Sequence, residues 1–177
     1  LVAPAAAQSS RRAAPIAGMD RAVLGRIDTV VADAIAAHDL PGAVVLVGRG
    51  DTIVWQKAYG QRALTPAREA MTTDTIFDLA SLTKVVATTP VVMQLVEEGR
   101  LRLADPIVTY LPEFKGDGRE RVTIRDLLTH MSGLPPDLDL KTTWTGRETA
   151  VQMAAATPLQ GPPGQRFVYR DVNFLLL

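Results

Sequence analysis

The sequence lacks cysteine, and among its 177 residues it has only two histidines, His38 and His130. The absence of cysteine excludes disulfide bonds, thiol nucleophiles and thiolate metal sites, and two histidines offer few ligands for a metal ion. An excess of one charge is also lacking, with 19 basic and 19 acidic side chains, so neither nucleic acid nor anionic lipid is an expected partner. Catalysis would therefore use oxygen or nitrogen groups, and we expect no metal and no cofactor.

Long hydrophobic runs of the kind that span a membrane are missing as well. Hydrophobic residues make up 47% of the chain and the mean hydropathy is +0.10, which is typical of a soluble globular protein. The length is sufficient for one domain with a substantial core.

The first 19 residues differ in composition from the rest. The segment "LVAPAAAQSS" places Ala5, Ala6 and Ala7 after a hydrophobic stretch and before Gln8, which is typical of an A-x-A signal-peptide cleavage site. We therefore interpret residues 1–19 as a signal-peptide remnant and flexible leader, and we expect a periplasmic or secreted protein. A flexible Ala-rich linker is the alternative interpretation.

The next region predicts a helix followed by a hairpin. Apolar residues recur every three or four positions from Asp20 to His38, which predicts an amphipathic helix with one buried face and with His38 as a capping cation at its end. The β-rich runs "AVVLVG" and "TIVWQKAYG" are joined by Arg49-Gly50-Asp51 and predict a hairpin from Ala43 to Gly60. A tight turn needs Gly and Asp in any case, so the "RGD" string is not interpreted as an adhesion motif.

The remainder of the chain has mostly helical patterns. A helix is predicted from Ser81 to Gly99 with a kink at Pro90, which lacks a backbone donor. Shorter helices are predicted within "VTIRDLLTHMSGLPP", ending at Ser132-Gly133, and within "GRETAVQMAAATP". The segment "LRLADPIVTYLPEF" is interpreted as irregular, and "GPPGQRFVY" as a turn that leads into Tyr169. Two strands against at least four helices predict an α+β fold with an antiparallel sheet flanked by helices.

Lys84 is unexpected at its position, one turn after Ser81. A cation near a helix N-terminus costs about 0.3–1 kcal/mol because it faces the positive end of the helix dipole. Positions three apart share a helix face, so Lys84 can reach the Ser81 hydroxyl. Serine becomes a nucleophile when a base takes its proton, and burial with a positive environment would lower the pKa of a lysine enough for that role. On these residues alone, Ser81 as an N-cap and Lys84 as a solvated side chain remain the simpler interpretation.

Four segments of the sequence together favour the catalytic interpretation. "DLASLTKVVAT", "LRLADPIVTYLPEF", "VTIRDLLTHMSGLP" and "GPPGQRFVYRDVNFLLL" resemble, in this order and at similar spacing, the serine hydrolases of the class C β-lactamase, D-Ala-D-Ala carboxypeptidase and esterase family. The resemblance covers most of residues 20–177. It implies a β-lactamase/transpeptidase-like fold with a helical subdomain, a small-molecule or peptide substrate, and no cofactor.

The resemblance also implies roles for individual residues. Ser81 would be the acylated nucleophile and Lys84 its partner base. Tyr169 occupies the tyrosine position of the family's Tyr-x-Asn motif, where the phenol moves a proton between nucleophile and leaving group. Asp171 stands where the family commonly has Asn or Asp, and we expect it to accept a hydrogen bond from Lys84 and to contribute to substrate binding. Without the resemblance, Tyr169 would be interpreted as a core aromatic residue, and with it His130 is interpreted as structural.

Two features depart from the family pattern. Arg170 brings bulk and charge where the family commonly has a small residue, which raises a question about substrate polarity. The family's third motif, a Lys-Thr-Gly, His-x-Gly or Trp-x-Gly triplet on a late strand, does not follow Tyr169. The "WTG" string from Trp144 to Gly146 precedes Tyr169 and is interpreted as unrelated.

We therefore interpret residues 20–177 as the N-terminal portion of a single β-lactamase-like domain, which supplies the helical part and only the first hairpin of the sheet. The expected function is that of a serine hydrolase forming an acyl-enzyme on a β-lactam, a D-amino-acid peptide or a small ester, and the chain alone is expected to be inactive. One alternative is a penicillin- or peptidoglycan-binding relative without turnover, for which Arg170 is the best support. The other is a non-catalytic helical interaction domain.

Overall fold

The computed structural model describes residues 16–139, 141 and 143–177. Most of the interpreted signal-peptide remnant, residues 1–15, lies outside the described residues. The chain divides into two compact units, one that ends at Asp78 and one that comprises Leu79–Leu177. Ser81, Lys84, Tyr169 and Asp171 all belong to the second unit.

The first unit contains a three-stranded antiparallel sheet in the order β1-β2-β3. Strands β1 (Gly42–Arg49) and β2 (Thr52–Ala63) form the predicted hairpin, and Gly50 in its turn has a φ of +56°, which glycine adopts without steric cost. The short strand β3 (Glu69–Ala70) pairs with the end of β2. The prediction of a single hairpin therefore misses one strand, because a two-residue strand has no periodicity to reveal it.

The helix predicted from Asp20 to His38 is divided in two. α1 (Arg21–Leu24) and α2 (Arg26–Ala36) meet at Gly25, a residue type that weakens helices because of its backbone freedom. Asp20 is the N-cap of α1, and its carboxylate accepts the backbone N–H of Ala22.

The apolar face of α2 is half-buried rather than buried. No residue of α2, all of which the structure describes, is fully buried, and Val30 is 68% exposed. The helix lies on a sheet of only three strands, where Lys57 and Tyr59 of β2 each donate to Asp28 at 2.8 Å. Polar contacts as well as partly buried apolar side chains therefore hold α2 on the sheet.

His38 ends α2 through its backbone. It adopts a φ of +64°, and the N–H of the next residue, Asp39, donates to the Ala34 carbonyl at 3.0 Å. This six-residue closure is the pattern of a Schellman cap. The predicted capping position is correct, and the backbone makes the cap.

The second unit is helical. Its α-helices are α3 (Thr89–Glu97), α4 (Ile124–Leu128), α5 (Arg147–Ala156) and α6 (Asp171–Leu175). The segment interpreted as irregular contains one 3₁₀ turn, Ile107–Thr109. The sequence predicts α3, α4 and α5, although α4 ends before Ser132-Gly133. It does not predict α6, because a five-residue helix within an apolar run shows no helical period.

The predicted kink at Pro90 takes the form of a widened turn. A π-helical stretch, Lys84–Thr88, leads into α3, and the Thr89 N–H donates five residues back to the Lys84 carbonyl. Pro90 has no N–H, and its ring crowds the carbonyl four residues earlier, so a regular α-helix would be disrupted here. Such π-helical stretches occur frequently at functional sites, and this one begins at Lys84.

One hydrophobic core joins the elements of the second unit. Its buried members are Val92, Ile107, Phe114, Val122, Ile124, Leu127, Leu134, Leu138, Ala154, Ala155, Val172 and Leu176. Trp144 packs against this core, and Gly146 is the N-cap of α5. The "WTG" string is thus the approach to a helix, which agrees with its interpretation as unrelated to the third motif.

Candidate active site

Ser81 follows a strained residue at the start of the helical run. Ala80 has a φ of +43°, a region that is unfavourable for a residue with a Cβ and that is concentrated at functional sites. The Ser81 carbonyl accepts the Lys84 N–H at 3.1 Å, which places the two residues on one turn. Ser81 itself is exposed, so its hydroxyl is accessible.

The Lys84 ammonium lies at the centre of the site. Its Nζ donates to Ser81 Oγ at 3.3 Å and also to Asp171 Oδ1. The ring centroids of Tyr169 and Phe174 lie 5.1 and 5.6 Å from Nζ, within the range of cation–π attraction. The side chain of Lys84 is only 14% exposed. The structure therefore brings together all four site residues that the sequence predicts.

The pKa of Lys84 is shifted in the direction opposite to the prediction. Burial acts to lower the pKa of Lys84, but hydrogen bonds to Asp171 and Tyr169 and the negative charges of both outweigh it, so the pKa lies above its ordinary 10.5. A lysine acts as a base only where no anion stabilises its ammonium form. Here the Asp171 carboxylate is such an anion. This raised pKa favours the ammonium form of Lys84 near neutral pH and does not support its expected role as a base.

The phenol of Tyr169 shows the shift that a base requires. Hydrogen bonds with Ser81 and then with Lys84 lower the pKa of Tyr169 from its ordinary 10.0, and they outweigh burial and the charge of Asp171, which act to raise it. A proton acceptor works best when its pKa is close to the working pH. In this geometry Tyr169, rather than Lys84, is the group suited to accept the Ser81 proton.

The guanidinium of Arg170 is buried in the protein. Arg170 is 4% exposed, and its guanidinium donates to the backbone carbonyls of His130, Leu134 and Val168. A buried guanidinium is stable only when its donors are satisfied in this way. The bulk and charge of Arg170 are thus used in packing against the backbone.

His130 makes structural contacts beside the site, in agreement with its interpretation. Its Nδ1 accepts the backbone N–H of Arg170 at 3.0 Å. The imidazole packs among three aromatic rings, those of Phe167, Tyr169 and Phe174, at centroid distances of 5.9, 4.6 and 5.3 Å. Burial and then the charges of Lys84 and Arg170 lower the pKa of His130 from its ordinary 6.5. A neutral ring that accepts at Nδ1 carries its proton on Nε2.

Sequence reasoning missed three residues that support the site. Ser132 and Asn173 are fully buried, and Ser132 Oγ donates to Asn173 Oδ1 at 2.6 Å while Asn173 Nδ2 donates to the Leu127 carbonyl at 2.9 Å. These bonds tie α6 to the end of α4. Phe174, the third, would have been found if α6 had been recognised, because positions three apart on a helix share a face with each other, here with Asp171.

The described residues contain neither a cluster of metal-ligating side chains nor a membrane-spanning helix. Within residues 16–139, 141 and 143–177, no group of three or more His, Cys, Asp or Glu side chains is placed to hold a metal ion. None of the helices in those ranges has the length and apolar character needed to cross a bilayer.

Comparison with known proteins identifies relatives of most of the chain. The family model described as Beta-lactamase matches residues 27–177. A protein of Salmonella agona (strain SL483) named "Putative D-alanyl-D-alanine carboxypeptidase" is 32% identical over 179 residues, covering 90% of this chain and 41% of that protein. The chain thus spans less than half the length of this curated relative.

Solved structures show the same fold. A penicillin-binding protein homologue from Pyrococcus abyssi, described as octameric, is 26% identical with a TM-score of 0.73 and covers 86% of this chain and 37% of its own. A class C beta lactamase matches with a TM-score of 0.71 at 24% identity, over 90% of this chain and 44% of its own. These matches show a β-lactamase/transpeptidase fold, of which this chain contains helices and a small antiparallel sheet. The chain belongs to the beta-lactamase family.

Proposed function

We propose that the protein is a serine hydrolase that forms an acyl-enzyme at Ser81. The observation that carries this proposal is the convergence of Ser81, Tyr169 and Asp171 on the ammonium of Lys84. Acyl transfer through serine requires a nucleophile and a base beside it, and here Ser81 and the Tyr169 phenol of lowered pKa supply them next to a cation. Membership of the beta-lactamase family supports a hydrolase function of this type.

The proposed reaction moves one proton through Tyr169. The phenolate takes the proton of the Ser81 hydroxyl while Oγ attacks the substrate carbonyl carbon. The Lys84 ammonium stabilises the phenolate before the transfer and donates a hydrogen bond to Oγ. The proton then passes from Tyr169 to the leaving group as the bond between the carbonyl carbon and that group breaks. Water attacks the ester in the same manner and regenerates Ser81, so the cycle needs no cofactor.

The proposed substrates are carbonyl compounds with a good leaving group: a β-lactam, a D-amino-acid peptide or a small ester. The names of two similar proteins support the first two classes, one naming a D-alanyl-D-alanine carboxypeptidase and the other a class C beta lactamase. A β-lactam and a peptide both contain a carbonyl carbon bound to nitrogen. A small-molecule or peptide partner follows from either class.

A relative that is acylated without turnover is the second candidate function. Its support in the sequence is Arg170, whose charge would change the substrate site. The guanidinium of Arg170 is buried against backbone carbonyls, and this burial argues against a direct contact between its charge and a substrate. Deacylation that is no faster than spontaneous loss of the label would nevertheless favour this candidate. Complete absence of acylation would favour the non-catalytic helical domain instead.

Export to the periplasm or secretion is proposed on the small residues Ala5, Ala6 and Ala7, which lie outside the described residues. N-terminal sequencing of the mature protein from a periplasmic fraction is expected to begin at Gln8. Recovery of the protein only from the cytoplasm with its leader intact would contradict export.

The function is tested by acylation kinetics of the full-length gene product with a chromogenic cephalosporin and a chromogenic short-chain ester. Ser81→Ala is expected to abolish turnover, and Tyr169→Phe to slow acylation by about 10²–10⁴-fold, as for a lost proton-transfer group. Tyr110→Phe is the matched control, because the Tyr110 hydroxyl donates to Asp105 at 2.6 Å and has no part in the site. Equal rates in the two tyrosine variants would overturn the assignment of Tyr169.

A further inference from the structure

We propose that His130 is a positioning residue for Tyr169 and Asp171, and that it acts by accepting the backbone N–H of Arg170 on a neutral imidazole nitrogen. The inference rests on the proposed function and goes beyond it, since it names a residue that touches no substrate yet determines the geometry of the proton acceptor. Three features of the structure support it: the backbone bonds around Tyr169, the conformation of the facing loop, and the charges around His130.

The loop of residues 130–136 holds the chain on both sides of Tyr169. Before Tyr169, the Val168 N–H donates to the His130 carbonyl at 3.2 Å, and after it the Asp171 N–H donates to the Pro136 carbonyl at 2.7 Å. The backbone of Tyr169 is therefore fixed relative to the 130–136 loop, and so is the start of α6.

A third hydrogen bond lies between these two backbone hydrogen bonds, and its acceptor is a side chain. The Arg170 N–H donates to Nδ1 of His130 at 3.0 Å, and the guanidinium of the same residue donates to the His130 carbonyl at 2.5 Å. Arg170 separates Tyr169 from Asp171, and these two neighbours are the residues that contact Lys84. A displacement of the Arg170 backbone would move both groups away from Lys84 together.

The 130–136 loop has little freedom to adjust. His130 has a φ of +59° and Gly133 a φ of +82°, and a Cβ added to Gly133 would lie 2.1 Å from the Gly161 carbonyl oxygen. Asparagine tolerates positive φ better than most residues, and its Oδ1 is bonded to Cγ just as Nδ1 is in histidine. His130→Asn therefore keeps both the backbone conformation and the acceptor, whereas His130→Phe keeps an aromatic ring and loses the acceptor.

The charges around the ring favour its neutral form. The ionisable groups that face His130 are Lys84 from the Ser81 helix and Tyr169, Arg170 and Asp171 from the C-terminal segment. Burial, Lys84 and Arg170 lower the pKa of His130, and the hydrogen bond with Arg170 and the charge of Asp171 partly oppose them. Protonation would place an N–H on Nδ1 against the N–H of Arg170, so acidification would break the contact without any mutation.

The test measures Tyr169 directly as well as through activity. In the full-length protein, ionisation of Tyr169 is followed by the near-ultraviolet absorbance of tyrosinate, with Tyr169→Phe in the same background as the blank. We expect the pKa of Tyr169 to stay lowered in His130→Asn and to rise towards its ordinary value in His130→Phe. In steady-state assays His130→Phe should lose about 10²-fold in kcat with little change in KM, as for a catalytic group displaced by about 1 Å, while His130→Asn keeps most of its activity.

A pH series covers the case in which His130→Phe does not fold. As pH falls through the titration of His130, kcat/KM of the wild type should decline with the uptake of two protons, one at Tyr169 and one at His130, whereas His130→Asn should decline with the uptake of one. Identical acid limbs in wild type and His130→Asn, or a pKa of Tyr169 that is the same in every variant, would overturn the inference. The Ser81→Ala variant separates the two proposals. Activity in Ser81→Ala equal to that of the wild type would contradict the proposed function. The titration of Tyr169 would still test the role of His130 in that case.

Discussion

The Lys84 ammonium stabilises two anions of different acidity, the Asp171 carboxylate and the Tyr169 phenolate. The pKa of Lys84 rises above 10.5, and the pKa of Tyr169 falls below 10.0 because of its hydrogen bonds with Ser81 and then with Lys84. The form in which Tyr169 is deprotonated and Lys84 is charged is therefore populated between these two shifted values. On the proposed mechanism, kcat/KM rises as pH passes the pKa of Tyr169 and falls as pH passes that of Lys84.

Replacing Lys84 separates the effect of its charge from the exchange of a proton. Lys84→Met removes the cation but leaves the hydrogen bond between Ser81 and Tyr169, so we expect the pKa of Tyr169 to rise from its lowered position and acylation at neutral pH to slow accordingly. Lys84→Arg keeps a permanent charge and should keep part of the lowering. Tyrosinate titration of both variants measures this, and a pKa of Tyr169 that is unchanged in Lys84→Met would contradict the electrostatic role of Lys84.

Replacement of Asp171 by its neutral isostere asparagine should shift the whole pH profile of kcat/KM. The Asp171 carboxylate raises the pKa of both Lys84 and Tyr169, so Asp171→Asn lowers both. The acid limb and the alkaline limb of kcat/KM should thus both move to lower pH, so kcat/KM at neutral pH should be kept or rise, in contrast to its loss in Tyr169→Phe. A pH profile of Asp171→Asn that moves to higher pH would contradict the role of Asp171 in raising the pKa of Lys84 and Tyr169.

At the scale of helices and strands, the sequence predicts the elements that show a local hydrophobic period and misses those that depend on long-range packing. α5 and the hairpin of β1 and β2 are long enough to show their periods, and the sequence predicts them. α6 has five residues and is held by buried contacts of Val172 and Asn173, which no local period reveals. The break at Gly25 and the π-helical stretch at Lys84–Thr88 are likewise produced by backbone requirements at single residues rather than by hydrophobic pattern.

The start of α4 permits a prediction that concerns stability alone. Thr123 and Asp126 form a reciprocal capping box, in which the Thr123 hydroxyl accepts the Asp126 N–H at 3.1 Å. Thr123→Ala should lower the free energy of unfolding by about 0.5–2 kcal/mol, while kcat well below the melting temperature stays unchanged. Thr123→Ser keeps the capping oxygen and is the matched control. A thermal unfolding midpoint in Thr123→Ala no lower than that in Thr123→Ser would contradict the role of the cap.

At the scale of the whole molecule, the site joins the two ends of the second unit. Lys84 and Asp171 are in direct contact although 87 positions separate them. Helical spacing predicts only the local pair of Ser81 and Lys84, and the place of Tyr169 beside them comes from resemblance to a family. The direction of the pKa shift of Lys84 depends on Asp171, whose distance from Lys84 the sequence does not contain.

The most direct test of the account is to map a covalent label on the full-length protein. A serine-directed phosphonate should add one equivalent by intact mass, and peptide mapping should place it on Ser81. Ser132, the other serine in the described residues, is fully buried and should stay unmodified. Labelling is expected to be slower in Tyr169→Phe than in Tyr110→Phe, and to be absent in Ser81→Ala. An adduct on a different residue, or stoichiometric labelling that persists in Ser81→Ala, would contradict the assignment of Ser81 as the nucleophile.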